Sequence, residues 1–547
     1  MSISLNDIVR FRGDRLFDGA INVDWFYKNP KKCQAAAESF VFHGPAYHGV
    51  SQEEIGISHG HRLIDTANFI RSVVRCCKGI EDKPFSLAIA GYGTGKSHLA
   101  LTIAWLLSNQ DSEAAHIILK NIESADPLIG SEIRAILDES REPSLILTLN
   151  GMGNFDLAAE FTSQIMHQLR KYNVNTQALD ELRPRFRHAI GLVNISNKED
   201  VQELTDKCGL SSKDELILRL QEHSELVYTT VHKFFEDKGL PIKAIGDETV
   251  KDVIDTACRE YCGEGKPFRN ILILFDEFGR YAEFATERSH IAGNGVLQHL
   301  FEGIQENSSY VTFVGFIQYE LNSYVERIAP ELKNDLLKVI SRYQSADKVH
   351  LSINLETLIA NLIEKVDEKK IDSFINREDE ILNSVSIADR VRQWFPLARN
   401  HQLWKNEAKF HTVIRKGCWP LSPFSVWFLF HLAAAGKYLQ QRSVLALLVD
   451  VFQQHGEKRI EDLKSWELAP VDLWSDDLEE DLRLSEEKGT LGSVTVSYAT
   501  VISKYGHQLP KECIKILQAI VLSSIMKLVV SDRDDAVSAL ALLSNLT

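Results

Sequence analysis

No apolar run in this 547-residue sequence reaches the about 20 residues that a bilayer-spanning helix needs. The longest candidate, Phe424 to Ala435, is shorter and is interrupted by His431. The opening residues, MSISLNDIVRFRGDRL, lack the long apolar stretch of a secretory signal. A cytoplasmic protein with no membrane role is therefore expected. Positive charge is also in short supply: 61 Lys and Arg stand against 76 Asp and Glu, a formal net charge of -15. Coating nucleic acid with a whole surface requires a basic footprint, so that class is excluded, while a local basic groove stays open. Cysteine is sparse, 8 residues scattered singly apart from Cys76-Cys77. Cys258 and Cys262 lie one helical turn apart, but no second pair follows at zinc-site spacing. Reduced thiols are the expectation. Repeats and low-complexity tracts are missing as well.

What is there can build a large core. Apolar residues make up 44%, which excludes wholesale disorder, and at roughly 100–200 residues per domain the length suggests about three domains. Five short apolar runs stand out: Phe85–Ala90, Leu145–Leu149, Ile271–Phe275, Val311–Ile317 and Lys348–Ile353. Continuous apolar runs without alternation fit strands covered on both faces, and the helical stretches between them give the α/β pattern of a parallel sheet. The expected fold is thus a five-stranded parallel sheet over residues 81–354, with a large helical insertion at about 151–268.

Before the sheet, residues 1–80 form a mixed region, with a hairpin within Ser39–Val50 and a helix over His61–Cys76. After it comes an all-helical segment at 355–470. The acidic stretch Asp472–Lys488 then reads as a linker into a helical segment within 471–547. An amphipathic run close to the end, with no polar tail, suggests a fragment of a longer protein. Inside the insertion, Arg183-Pro184-Arg185-Phe186-Arg187-His188 is basic with an embedded aromatic. That composition suits a nucleic-acid contact or a solvated turn, and the turn is the expectation.

The first apolar run leads into Ala90-Gly91-Tyr92-Gly93-Thr94-Gly95-Lys96-Ser97, the pattern G-x-x-x-x-G-K-[ST] with Ala90 at its first position. Glycines let such a loop curl so that its N–H groups cradle phosphate oxygens, which makes Gly91, Tyr92, Gly93, Thr94 and Gly95 candidate nucleotide contacts. Lys96 would reach the β- and γ-phosphates, and Ser97 would give its hydroxyl to Mg²⁺. The helix starting near Lys96 adds its positive N-terminal dipole. His98 is grouped with these residues as a packing or capping side chain rather than a catalyst. The third run ends in Asp276-Glu277. A carboxylate at the end of a buried strand can hold Mg²⁺ through its water shell, and an adjacent Glu can orient or deprotonate the attacking water. Asp276 is therefore the candidate metal residue and Glu277 the candidate base, with ATP and Mg²⁺ as the implied cofactors. The Asp-Glu pair favours hydrolysis over nucleotide storage.

In the order of its strands and motifs the chain resembles an AAA+ P-loop ATPase over roughly residues 80–450. That resemblance implies that Gln318, closing VTFVGFI, senses the γ-phosphate. It implies that Arg342, before the fifth strand, is an arginine finger serving a neighbouring subunit, with Arg327 as runner-up. It also implies that Arg442, in the helix QQRSVLALL, contacts the γ-phosphate from the same chain. DEFGRYAEF, the helical insertion and GCWPLSPFSVWFLFHLAA further resemble P-loop subunits of BREX-type anti-phage defence systems. The implied function is an ATPase coupling turnover to conformational change in a homo-oligomer, with an effector protein of the same system as a further partner and nucleic acid left open. A STAND-like nucleotide switch and a DNA-loading initiator ATPase are the alternatives.

Overall fold

Val, Ile, Leu and Phe crowd the segments that become strands, because a strand covered on both faces can bury every side chain it carries. The computed structural model describes residues 3–13, 21–44, 62–90, 95–240, 242, 248–351, 355–381, 387–399, 401–435, 441–459, 467–487 and 493–546. Its strands are β1 (Val9–Phe11), β2 (Arg62–Ile64), β3 (Phe85–Ile89), β4 (Leu145–Asn150), β5 (Ile271–Asp276), β6 (Val311–Ile317), β7 (Asp347–Leu351) and β8 (Ile363–Lys365). The five expected strands all form, within a residue or two of their expected limits, and β2 joins them to make a parallel sheet in the order β2-β7-β3-β6-β5-β4.

β2 was expected to be the first turn of a helix. The helix starts instead at Thr66, because the Asp65 side chain accepts the Asn68 amide at 2.8 Å and caps it. The expected hairpin within Ser39–Val50 lies partly outside the described residues, and Phe40 to Gly44 before that gap form neither strand nor helix.

The pleat divides each strand between two layers. From β5, Ile271, Ile273 and Phe275 enter one core, shared with the helices Leu157–Lys171, Val250–Tyr261 and Val296–Glu306. Leu272 and Leu274 enter the opposite core, shared with the helices Thr66–Cys77 and Lys96–Ser108. The Lys96–Ser108 helix is apolar around its whole circumference. It lies under the sheet and is covered on its far side by the Pro30–Ser39 and Glu113–Ala125 helices.

The stretch between β4 and β5 does not behave as one insertion. Its first and last helices pack on the sheet, while the helices Pro184–Ile195, Lys198–Cys208, Lys213–Gln221 and Glu225–Asp237 enclose a separate core around Phe186, Leu204, Leu216 and Val231. The basic segment there is neither a solvated turn nor a basic groove. Arg183 is 1% exposed. It pairs with Glu225 at 2.5 Å and with Glu248, while Arg185 pairs with the same two carboxylates and lies over the Phe186 and Tyr228 rings. Both guanidiniums are spent internally, because a charge taken out of water needs a partner.

The region expected to be all-helical after residue 355 includes β8, which pairs antiparallel with β1. Residues 3–11 thus belong to the helical half of the molecule, whose core holds Trp394, Trp404, Trp419 and Trp427. Among the described residues no helix is long and apolar enough to cross a membrane.

Candidate functional site

β3 is where the winding of the sheet reverses. The chain leaves β3 for the far edge at β4, returns through β5 and β6 beside β3, and then crosses to β7 on the other side. In open parallel sheets the crevice beyond the strand C-termini at such a reversal is where ligands bind. Ala90, Asp276 and Gln318 follow or end the central strands β3, β5 and β6, and the Ala90 N–H donates to the Ile317 carbonyl at 3.1 Å. Three chain segments far apart in sequence therefore reach one edge.

Gly91, Tyr92, Gly93 and Thr94 lie outside the described residues. The loop re-enters at Gly95, which caps the Lys96–Ser108 helix at φ 82°, a region that side-chain-bearing residues disfavour. From that helix start, Lys96 Nζ donates to the Ala90 carbonyl at 3.0 Å and stands 4.0 Å from Glu277 Oε1. The Ser97 hydroxyl donates to Asp276 Oδ2. The Gln318 side-chain amide donates to Glu277 Oε1 at 2.9 Å. Lys96, Ser97, Asp276, Glu277 and Gln318 thus form one connected cluster.

The cluster is dry. Lys96 and Asp276 are each 5% exposed. Burial pushes the Lys96 ammonium below its ordinary range, with Glu277 and then Asp276 pulling it back up. Burial pushes the Asp276 carboxyl upward, opposed mainly by the Ser97 hydrogen bond. Among the described residues, Glu277 Oε2 is buried with no hydrogen-bond donor, an arrangement that costs free energy unless something else satisfies it.

Glu277 also has unusual backbone. It sits at φ 52°, ψ 39°, left-handed, and caps the helix Phe278–Glu287. For a residue other than glycine that conformation costs on the order of 1–3 kcal/mol and persists only where the surroundings over-determine it. Here β4 supplies the constraint. The Gly151 N–H donates to the Asp276 carbonyl at 2.8 Å, and a Cβ on Gly151 would lie 2.2 Å from the Glu277 carbonyl oxygen. Asn150 folds that exit turn, its Oδ1 accepting the Met152 amide at 3.1 Å. Gly151→Ala is therefore expected to destabilise the protein by about 1–3 kcal/mol, the usual cost of forcing extra atoms into packed structure. Denaturant unfolding would measure it, and an unchanged midpoint would show that the two backbones are free to part.

Other expected site residues fall elsewhere. The His98 ring packs on the Pro30–Ser39 helix, 2.6 Å from the Ala36 carbonyl and edge-on to Phe40. Burial depresses its pKa to about 4, opposed by the Ala36 contact, so it is neutral at physiological pH. Arg342 ends the Lys333–Arg342 helix, just before the N-terminal end of β7. It is half-buried and pairs with no carboxylate among the described residues. The cluster lies at the opposite, C-terminal edge, a strand's length away at about 3.3 Å per residue. Arg327 is exposed on the cluster's side, stacked 4.8 Å from the Tyr319 ring centroid and 5.1 Å from that of Tyr324. Arg442 falls in the first turn of the helix Gln441–His455, and its side chain lies outside the described residues.

Sequence reasoning missed Asn150 and Gly151. An Asn-Gly pair closing an apolar strand is a turn signal, and it was available at Asn150-Gly151. No protein-family model matches the chain, and a search of curated proteins found no match.

Proposed function

We propose that the chain is a Mg²⁺-dependent ATPase of the AAA+ type whose hydrolytic site is the Lys96–Ser97–Asp276–Glu277–Gln318 cluster. One observation carries the proposal: a lysine and a hydroxyl at a helix start converge with two carboxylates and an amide at the C-terminal edge of the sheet. A hydroxyl and a buried carboxylate in direct contact are a donor set suited to Mg²⁺, which takes one or two protein oxygens and leaves the rest to phosphates and water. Ser97 and Asp276 are the residues that would hold it, and its chemistry there is to neutralise charge on the β- and γ-phosphates. Lys96 would bind the same phosphates. Glu277, with an unsatisfied buried oxygen, accepts a proton from the attacking water or orients it. The Gln318 amide holds Glu277 and can turn to a γ-phosphate oxygen.

Steady-state phosphate release from ATP with Mg²⁺, on protein of measured oligomeric state and with and without duplex DNA, tests this. ATP-dependent release is expected. The absence of both ATP binding and phosphate release would overturn the assignment, and tight binding without release would favour a nucleotide switch.

A homo-oligomer is part of the proposal, on the finger role that the resemblance implies for Arg342, which ends its helix at the edge of the sheet away from the cluster of its own chain. It would act on a neighbour's ATP, in which setting an arginine finger contributes roughly 10³–10⁵ in rate. Arg342→Ala is expected to bind ATP normally and lose turnover. Mixing it with Lys96→Ala subunits should restore some activity, since an intact arginine then faces an intact loop. Activity of an isolated monomer would refute the trans role. A setting in anti-phage defence is proposed only on the resemblance carried by DEFGRYAEF, the helical insertion and GCWPLSPFSVWFLFHLAA.

A further inference from the structure

Gln318 leaves β6 at the point where the chain becomes loop, and a glutamine on a loop has no reason of its own to face Glu277. Two features tie it back. The Gln318 N–H donates to the Tyr324 hydroxyl at 3.3 Å. Tyr324, on the short helix Asn322–Val325, is 1% exposed although only six residues beyond Gln318. Its ring lies flat against Gly279, in the first turn of the helix that Glu277 caps. A Cβ on Gly279 would stand 2.3 Å from Tyr324 Cζ, 2.4 Å from Cε2 and 2.7 Å from Cε1. All three are atoms at the hydroxyl end of the ring. Only glycine at 279 lets the phenol seat deeply enough for its oxygen to reach the Gln318 backbone.

We infer that Tyr324, seated on Gly279, is a positioning residue that holds Gln318 against Glu277. The inference rests on the proposed hydrolytic role of Glu277. The path is short and continuous: Gly279 admits the ring, the hydroxyl anchors the Gln318 backbone, and the Gln318 side chain donates to Glu277 Oε1 at 2.9 Å. Tyr324 itself touches neither nucleotide-binding residue Lys96 nor the Ser97–Asp276 pair, so its effect should fall on turnover and not on ATP affinity. It also gives the glycine of Asp276-Glu277-Phe278-Gly279 a role, since the residue after the acidic pair and its phenylalanine must leave room for the ring.

The decisive variant is Tyr324→Phe, which keeps the ring on Gly279 and removes only the hydroxyl. It is expected to lower kcat about ten- to hundredfold, the scale of small misplacements of catalytic groups, with KM and thermal midpoint near wild type. A purely structural tyrosine would move the midpoint and leave kcat of the folded fraction intact, and that result would overturn the inference. In the Gln318→Ala background, Tyr324→Phe should add nothing further, because both act through one side chain; additive losses would also overturn it. Gly279→Ala, which pushes the ring away, should reproduce the kcat loss, and wild-type turnover in that variant would count against the mechanism. Hydrogen exchange of the peptide spanning Gln318 reads the contact without any nucleotide. Faster exchange in Tyr324→Phe is expected, and unchanged exchange would refute the anchor. If the wild-type protein releases no phosphate, the proposed ATPase function fails, while the exchange result still decides the anchor.

Discussion

Lys96→Ala is expected to abolish turnover and to weaken ATP binding by about thirty- to several-thousand-fold. Lys96 stands 4.0 Å from Glu277 Oε1 and is buried, with Asp276 acting on its charge as well. Its removal leaves Asp276 and Glu277 facing an incoming triphosphate without the opposing charge. Truncating one partner of a buried, hydrogen-bonded charge pair costs about 2–5 kcal/mol, and each 1.4 kcal/mol or so is a factor of ten in affinity. The alanine also leaves a void where the side chain ran toward the Ala90 carbonyl. Lys96→Met, similar in length and without charge, separates the two effects: it should lose binding as severely while keeping the thermal midpoint. Calorimetric titration with ATP, together with phosphate release, measures both variants. Binding and hydrolysis at wild-type level in either one would remove the cluster from consideration as the nucleotide site.

Glu277→Gln should divide binding from chemistry. The amide has the volume of the carboxylate and can still meet the Gln318 side chain, so the left-handed turn and its clamp by Gly151 should survive. What it loses is the capacity to take a proton. If Glu277 acts as the base, turnover falls by roughly 10²–10⁴, while ATP affinity holds or rises because one negative charge beside the phosphates is gone. Single-turnover hydrolysis compared with equilibrium binding makes the distinction. A variant that hydrolyses at the wild-type rate would assign the base elsewhere, and Asp276 would then be the next group to change.

The arrangement that makes these variants informative was only partly legible in the amino-acid sequence. The strand Ile271–Asp276 could be read because every residue in it is apolar until the last, and the Lys96–Ser108 helix because its apolar run follows a glycine loop. Such signals are local: residues a few positions apart decide them through backbone preference and periodicity. β8 carried no such signal. Three residues make a strand only when a partner supplies the hydrogen bonds, and that partner, β1, lies more than 350 residues earlier. The segment with the arginines at 183 and 185 read as a solvated turn because their carboxylates, Glu225 and Glu248, are remote in sequence.

The candidate site divides in the same way. By itself the sequence determined the chemical inventory: a lysine and a serine at a helix start, an acidic pair at a strand end, and an amide after the next strand. The tertiary structure alone decided that these groups meet, and which do not. Ser97 touches Asp276 across 179 positions of chain, and parallel register sets Asn150 beside Asp276 so that Gly151 can clamp Glu277. Arg342 and His98, near the loop or the strands in sequence, were turned away from the cluster, the arginine toward the other end of the sheet and the histidine into packing against the Pro30–Ser39 helix. The physical reason is that backbone propensity is settled within a turn or two, whereas contact between remote segments depends on sheet order, register and the space that one glycine leaves for another chain segment.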